Sequence, residues 1–337
     1  MKNKLFILLL IIMAILLIFG WTKKYNQKSL TNIITTTPQS LSSFVLGPGD
    51  YNFSLIDNGV ERIYKTHVPP NYNKNIKTPV VIYIHGGGGS SLGSKNDGLY
   101  NYSDKYGFIL LSPAGTGILK DKLLVWNIGT YLINGEIQNY NNYASEHNVN
   151  DVDFLSKMIN DIKNNFNVDE KRIYATGISQ GGTMSYRLAC ELSDKIAAIA
   201  PIAPPVSPAN CNPPRNVSII HIHGTEDPCA PFNGGLSIGC LGTNKELFQS
   251  AQEMIEKWRN TNNCLQTPVV TYQNKDATCI NYNKCDGNSN VEFCTIKNMG
   301  HTYPSGSQYL SAKIIGPVSY DMSFDQIWEF FKNHPME

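Results

Sequence analysis

A serine between two glycines is the first group in this chain whose surroundings could make it a nucleophile. The stretch "YATGISQGGTMSY", residues 174–186, holds Ser179 at the spacing G-x-S-x-G. A serine hydroxyl is weakly reactive unless a neighbouring base takes its proton. The apolar run before Ser179 predicts a strand, and the pattern of residues 180–192 predicts a helix. A strand, a sharp turn and a helix are the context in which such a serine acts as nucleophile.

The two glycines of the motif have a steric explanation. A sharp strand-to-helix turn crowds the backbone, so we expect Gly177 and Gly181 to stand where a Cβ would collide. The turn lifts the serine oxygen to the N-terminus of the helix, where free N–H groups and the helix dipole favour negative charge. The alternative is an ordinary serine in a glycine-rich turn, and the five-residue motif alone does not exclude it.

A nucleophilic serine needs a base, and the base needs an acid that orients it. Where the serine lies between a strand and a helix in this way, the acid follows it along the chain and the histidine comes last. The stretch "HIHGTEDPCAP" places Glu226 and Asp227 directly after a predicted strand, and their spacing does not choose between them. His301 follows in "NMGHTYPSG", a glycine-flanked loop after another strand-like run, so we predict His301 as the base. His221 and His223 lie in an apolar strand pattern typical of structural histidines.

A reaction at a carbonyl also needs donors for the oxyanion. The stretch "YIHGGGGSS", residues 83–91, carries four consecutive glycines after a predicted strand, and such a loop can turn a backbone N–H toward the site. The second donor is predicted to be the N–H of Gln180, and His85 is predicted to brace the loop. Neither phosphate-binding glycine motif fits this stretch. We predict no cofactor and no metal.

The N-terminus predicts targeting and not fold. An apolar run from Leu5 to Trp21 has lysines on both sides, so residues 1–24 are a cleaved signal peptide or an uncleaved membrane anchor. Residues 25–48 are polar and predict a linker, and residues 49–337 predict one domain. The formal net charge is +1, with 28 basic and 27 acidic residues, so nothing indicates nucleic acid as a partner. Oligomeric state has no signal in the sequence.

The cysteines indicate an oxidising compartment outside the cytosol. All eight lie between Cys190 and Cys294, and an even number so crowded predicts disulfides. We predict the pairs Cys279–Cys294 and Cys229–Cys240, and we predict Cys190 as a buried free thiol. Metal binding is disfavoured because no C-x-x-C pair occurs.

Strand and helix patterns alternate along the rest of the chain, which predicts an α/β fold with a mostly parallel central sheet and helices on both faces. Several of the five predicted strands are apolar on both faces, as strands of a buried parallel sheet must be. The five are residues 78–85, 107–113, 172–177, 197–203 and 217–224. Helices are predicted over 151–166, 180–192, 245–258 and 323–332. Residues 52–56 and 61–69 predict an antiparallel edge hairpin, and residues 117–148 predict a loop-like cap.

These motifs together resemble those of a known esterase family. The chain is similar to the family that contains polyhydroxybutyrate depolymerases and bacterial or fungal feruloyl and acetylxylan esterases, within the α/β-hydrolase fold. The similarity runs from about Gly59 to His334 and includes "HGGGGS", "VDEKRIYATGISQGGTMSYRLACELSDKIAAIAPIA", "IIHIHGTEDPCAPFNGG" and "MGHTYPSG". The resemblance implies Ser179 as nucleophile, Asp227 as the acid and His301 as the base.

The resemblance also implies the remaining site residues. Gly87 lies where the family usually has a cysteine whose N–H serves the oxyanion hole. Substrate contacts are implied for Trp126, in a matching "WN" within the otherwise poorly matching residues 117–148, and for Tyr303, which stands where many members have tryptophan. The expected function is a serine esterase outside the cytosol, secreted or attached to a membrane through residues 5–21, acting on small or polymeric esters. The alternatives are a peptidase or other acyl hydrolase on the same fold, and an inactive binding module.

Overall fold

The structure, a computed structural model, describes residues 46–237, 239–240 and 245–337, together with the backbone of residues 33–35. The predicted targeting segment and most of the predicted linker therefore lie outside the described residues. Leu46, predicted as linker, donates its backbone N–H to Asn165 O at 3.0 Å and packs against the core. In the described part of the chain, no helix is long and apolar enough to cross a membrane.

Eleven strands form one large sheet, and two short hairpins lie outside it. Within the described residues the strands are, in chain order, β1 (Ile33–Thr35), β2 (Gly49–Asp57), β3 (Val60–Val68), β4 (Thr78–Ile84), β5 (Ile109–Pro113), β6 (Thr130–Ile133), β7 (Glu136–Asn139), β8 (Val168–Ile178), β9 (Ala198–Ile202), β10 (Ser218–Gly224), β11 (Gly235–Ser237), β12 (Glu246–Phe248), β13 (Val269–Asn274), β14 (Ala277–Tyr282) and β15 (Val291–Ile296).

The sheet is parallel at its centre and mostly antiparallel toward its edges, where the outermost pair β1/β2 is again parallel. The strand order is β1-β2-β3-β5-β4-β8-β9-β10-β15-β14-β13. All neighbours from β5 to β15 in that order run parallel. The pairs β2/β3, β3/β5, β14/β15 and β13/β14 run antiparallel. The mostly parallel sheet and the β2/β3 hairpin predicted from sequence are confirmed.

The helices follow the strands of this sheet. They are, among the described residues, α1 (Gly93–Asn96), α2 (Leu99–Tyr106), α3 (Tyr143–Glu146), α4 (Asp151–Asn165), α5 (Gln180–Glu191), α6 (Ala251–Thr261), α7 (Ala312–Ile315) and α8 (Phe324–Lys332), with a 3₁₀ turn at Asp286–Asn288.

The core lies on both faces of the sheet. In β4, Val80, Ile82 and Ile84 pack in the cluster that contains Phe154 of α4 and Trp258 of α6. The alternating residues Val81 and Tyr83 pack in the other cluster, with Leu99 of α2 and Phe331 of α8. Successive strand residues point to opposite faces, so a strand covered on both sides must be apolar throughout. The fold is that of an α/β protein with helices on both faces, as predicted.

Two predicted elements differ from the structure. The helix predicted over 245–258 begins at Ala251, because Ser250 caps it and Glu253 closes a capping box with Ser250. The preceding residues form β12. The predicted loop-like cap over residues 117–148 contains the hairpin β6/β7 and the short helix α3.

Four disulfides link the cysteines in pairs. The predicted Cys229–Cys240 and Cys279–Cys294 are confirmed, the latter joining directly paired residues of β14 and β15. The prediction of a free thiol at Cys190 is wrong, because Cys190 at the end of α5 bonds to Cys211 in the following loop. The fourth disulfide, Cys264–Cys285, was not predicted. Four disulfides fit a protein that folds outside the cytosol.

Candidate active site

Ser179 occupies a strained turn between β8 and α5. Its φ of 59° and ψ of −124° lie in a region that residues with a Cβ rarely adopt. Its N–H donates to Ile202 O of the neighbouring strand, and its own carbonyl accepts from Thr183. The side chain is half-buried at the N-terminus of α5. Such a turn presents a serine hydroxyl above the end of a sheet.

The two glycines of the motif are needed for space. A Cβ on Gly181 would stand 1.9 Å from Ile84 O, and one on Gly177 would stand 2.3 Å from the same oxygen. Both distances are far below any allowed contact, and Ile84 O is a backbone atom that cannot move aside as a side chain could. The sequence-based explanation of these glycines is therefore confirmed.

The ends of three parallel strands bring the predicted residues to one edge of the sheet. In the sheet register Ile178 pairs with Ile202, Ile202 with Ile222, and Ile222 with Cys294. Ser179 comes one residue after Ile178 of this set. Asp227 comes five residues after Ile222, in the loop that follows β10, and His301 comes seven residues after Cys294, in the loop that follows β15. Carboxyl ends of parallel strands meet at one edge, where ligands bind in open α/β sheets.

Asp227 and His301 form a buried hydrogen bond. His301 Nδ1 lies 2.7 Å from Asp227 Oδ2, and both side chains are almost completely buried. Asp227 Oδ1 accepts the backbone N–H groups of Cys229 and Ala230, at 2.8 and 2.9 Å. Glu226 is exposed. The structure therefore favours Asp227 as the partner of His301. The sequence "DPCA" carries a signal for this choice, because an aspartate side chain in a turn accepts the N–H groups two and three residues further along the chain.

The buried carboxyl of Asp227 remains ionised. Burial by itself raises its pKa, but the charge of His301 and the hydrogen bonds from His223 and His301 lower it more, so the pKa of Asp227 lies well below its usual range. Nδ1 of His301 must carry the proton of this hydrogen bond, because an ionised carboxylate can only accept. Nε2 of His301 is then free to accept a proton.

The glycine-rich loop after β4 lies against Ser179. A Cβ on Gly86 would stand 3.3 Å from Ser179 Cβ. His85 fixes this loop, since its Nε2 accepts the N–H of Gly115 at 3.0 Å and its Nδ1 donates to Gly86 O at 2.7 Å. Burial lowers the pKa of His85 to about 4, so the ring is neutral and can do both. The bracing role predicted for His85 fits these contacts.

Gly87 and Gln180, the predicted oxyanion donors, lie side by side. A Cβ on Gly87 would stand 2.7 Å from Gln180 Nε2, so a larger residue here would require the Gln180 side chain to shift. Gln180 is the first residue of α5, and the N–H groups of a first helical turn have no partner within the helix. The N-terminus of α5 and the glycine loop therefore meet next to Ser179.

Trp126 and Tyr303, the predicted substrate contacts, are buried side chains. Trp126 is 0% exposed; its indole N–H donates to His85 O at 2.9 Å, and its backbone N–H donates to Gln180 Oε1 at 3.2 Å. Tyr303 is 1% exposed and packs in the apolar cluster with Tyr83. Their burial gives no support to substrate contact, and Trp126 instead connects the glycine loop to Gln180.

The hydroxyl of Ser179 and Nε2 of His301 form no hydrogen bond in the part of the chain that the structure describes. Such bonds are often long in ligand-free enzymes and shorten when substrate binds. The described geometry therefore joins the acid to the base and leaves the serine at the adjacent strand end. One contact with His301 had no sequence signal: the Tyr309 hydroxyl donates to its carbonyl oxygen at 3.0 Å.

The Cys229–Cys240 disulfide lies beside His301. Its two sulfurs and a ring nitrogen of His301 lie within 4.8 Å of one another. The sulfurs are bonded to each other and offer no thiolate to a metal. Since the Cys229 N–H also holds Asp227, this disulfide fixes the loop that carries the acid.

We expect the double variant Cys229→Ser/Cys240→Ser to lose both stability and activity. Opening a loop closed over 11 residues lowers the free energy of unfolding by about 3 kcal/mol. The loop that holds Asp227 is then free to shift, so ester turnover per folded molecule falls as well. Chemical denaturation and initial rates on one sample measure both.

The pair Cys264–Cys285 offers a matched control for this prediction. It closes a loop of 21 residues and lies near the start of β15, whereas His301 follows the end of that strand. Its serine variant should lose a similar free energy of unfolding and keep its turnover. Equal turnover losses in both double variants would contradict a specific role for Cys229–Cys240.

Residues 50–220 match the family model of acetyl xylan esterase, which is half of the chain. The chain belongs to this family. Feruloyl esterase B of Piromyces equi is 36% identical over 161 residues, which are 46% of this chain and 30% of that protein. The bifunctional acetylxylan esterase/xylanase of Neocallimastix patriciarum is 23% identical over 252 residues, 73% of this chain and 32% of that protein. The chain thus spans about a third of each of these two relatives.

A solved acetyl xylan esterase shares the fold. The acetyl xylan esterase from Aspergillus awamori superimposes with a TM-score of 0.56 at 14% identity, over 83% of this chain and 98% of that one. At such identity the likeness establishes the fold alone. The family resemblance seen in the sequence is confirmed.

Proposed function

We propose that this chain is a serine esterase that hydrolyses carboxylic esters through an acyl-enzyme intermediate. The observation that carries the proposal is the buried Asp227–His301 hydrogen bond, formed at the strand ends beside a strained Ser179. An ionised acid, a histidine with one free nitrogen and a serine at a helix N-terminus are the parts that acyl transfer requires.

In the proposed reaction Ser179 Oγ attacks the ester carbonyl carbon while His301 Nε2 takes the hydroxyl proton. The carbonyl oxygen becomes an oxyanion, which accepts hydrogen bonds from the N–H groups of Gly87 and Gln180. As the intermediate collapses, His301 returns the proton to the leaving alcohol and the acyl group stays on Ser179. Water then attacks the acyl-enzyme with His301 again as base, which releases the carboxylic acid and restores the serine. Asp227 stabilises the imidazolium throughout.

The substrate class that we propose is the acetyl or feruloyl ester of a plant polysaccharide. The support comes from relatives, whose names refer to acetylxylan and feruloyl esters. Hydroxybutyrate esters remain a further candidate from the family resemblance. We also propose that the protein acts outside the cytosol, secreted or attached to a membrane through residues 5–21, as the four disulfides and the apolar N-terminal run support.

A fluorophosphonate probe tests the proposed chemistry, because it phosphonylates a serine only where a base activates the hydroxyl. We expect stoichiometric labelling, with the label on the peptide that contains Ser179 when the digest is analysed by mass spectrometry. A panel of p-nitrophenyl acetate, methyl ferulate, acetylated xylan and a hydroxybutyrate oligomer then ranks the acyl groups. A folded chain that takes up no probe and hydrolyses none of these esters would be a binding module, against the proposal.

A further inference from the structure

A buried chain of hydrogen bonds runs from Tyr186 on α5 to Ala230 O, next to Asp227. The Tyr186 hydroxyl lies 2.6 Å from His221 Nδ1, and His221 Nε2 lies 3.1 Å from His223 Nδ1. His223 Nε2 in turn lies 2.8 Å from Ala230 O and 3.5 Å from Asp227 Oδ2. The proposed reaction uses neither His221 nor His223, although "HIHG" leads directly to the acid.

The acceptors at the Asp227 end fix the position of every proton in this chain. Ala230 O and the Asp227 carboxylate can only accept, so His223 Nε2 must carry hydrogen. In a neutral His223 ring Nδ1 then accepts, and His221 Nε2 must donate to it. His221 Nδ1 is left to accept, and the Tyr186 hydroxyl donates to it. With this assignment every polar hydrogen in the chain has an acceptor.

Aromatic rings enclose the two histidines and keep water away. Phe293 meets the His221 ring edge-on at 5.4 Å, Phe232 meets the His223 ring at 5.8 Å, and Trp258 stacks on Tyr186 at 5.3 Å. Burial and the neighbouring His223 hold the pKa of His221 well below its usual range, so this ring is neutral. Polar groups enclosed in this way are costly unless they are satisfied, and they have few alternative arrangements.

We propose that His223 is a positioning residue for Asp227, and that Tyr186 and His221 hold His223 in the tautomer whose Nε2–H donates to Ala230 O and faces the Asp227 carboxylate. The inference rests on the proposed function, in which Asp227 is the acid of the triad. His223 acts on Asp227 Oδ2, the same oxygen that accepts from His301. It thereby fixes the carboxylate in the plane where His301 can meet it.

The N–H of His223 also moderates the charge that His301 experiences. The titratable groups that face Asp227 are His223 from β10, His301 from the loop after β15, and Tyr309 from the segment that follows. Removing the His223 dipole makes the electrostatic potential around Asp227 more negative, which favours the protonated imidazole at His301. Because a protonated base cannot accept the serine proton, the acid limb of the pH profile moves to higher pH.

Two substitutions at His223 separate positioning from packing. His223→Leu removes the donor, while His223→Gln keeps one, because a glutamine amide can accept from His221 and donate to Asp227. We expect His223→Leu to lower kcat/KM for p-nitrophenyl acetate about tenfold, through kcat and not KM, since His223 touches no substrate. Its acid limb should move to higher pH, and His223→Gln should restore both rate and profile. Tyr186→Phe should shift the profile in the same direction as His223→Leu by less.

A proton NMR measurement keeps this test independent of esterase activity. The proton between His301 Nδ1 and Asp227 Oδ2 gives a far-downfield resonance, which we expect to move in His223→Leu and to return in His223→Gln. The positioning role would be overturned if His223→Leu and His223→Gln both lost thermal stability but kept the resonance and the pH profile of the parent protein. A moved resonance in a protein that hydrolyses no ester would count against the proposed function and support the positioning.

Discussion

Replacing Ser179 by alanine is expected to lower kcat/KM for p-nitrophenyl acetate by about four to six orders of magnitude. The oxygen that forms the acyl-enzyme is lost, while the strand, the glycines and the oxyanion donors remain. The residual rate comes from binding and from oxyanion stabilisation of attack by water. Removing the hydroxyl leaves no buried partner unsatisfied, because Ser179 Oγ forms no hydrogen bond within the described residues, so the melting temperature should change little.

Ser185→Ala is the matched control for this substitution. Ser185 lies on the same helix and its hydroxyl donates only to Gly181 O, one turn back. We expect turnover within a few-fold of the parent and no loss of fluorophosphonate labelling. The acyl-enzyme on Ser179 would be ruled out if a Ser179→Ala preparation free of contaminating esterase kept more than about a hundredth of the parent rate.

Asp227→Asn should lower kcat by about four orders of magnitude without unfolding the protein. The two backbone N–H groups at Oδ1 require an oxygen at that position, so the asparagine must direct its NH₂ group toward His301. An NH₂ group can only donate, which forces His301 Nδ1 to accept and moves the ring proton to Nε2. The base then holds its proton on the nitrogen that should receive one from Ser179.

Glu226→Gln controls for the loss of one negative charge in the same loop. Glu226 is exposed, and its backbone N–H, which the substitution leaves in place, donates to Met299 O. Its turnover should match the parent across the pH range. If Glu226→Gln is the variant that loses activity and Asp227→Asn retains it, the acid has been assigned to the wrong residue.

The geometry around Ser179 could be predicted from sequence because each requirement is local. The strand, the sharp turn and the helix follow one another within residues 172–192, and glycine at both motif positions is what a crowded turn requires. The acid was harder to choose, since Glu226 and Asp227 share one loop. The family resemblance implies Asp227, and the folded loop distinguishes the two by burying the carboxyl of Asp227 and exposing that of Glu226.

Other features depend on contacts between residues distant in the chain, which periodicity does not report. Cys190 belongs to an apolar helical pattern and looks like a core residue, yet its partner Cys211 comes from a loop with no pattern. Tyr303 lies next to the motif of His301 but turns into the core against Tyr83. The hydrogen bonds of His221 and His223 likewise require Tyr186 from another element, so the sequence shows two strand histidines and no network.

The confinement of all cysteines to residues 190–294 has a practical consequence for recombinant production. The half of the chain that ends with Ser179 contains no cysteine. The half that carries Asp227 and His301 is cross-linked by four disulfides, which form only in an oxidising compartment. An expression host should therefore export the protein to the periplasm or culture medium, because a reducing cytoplasm would leave the loop that carries Asp227 without its Cys229–Cys240 disulfide.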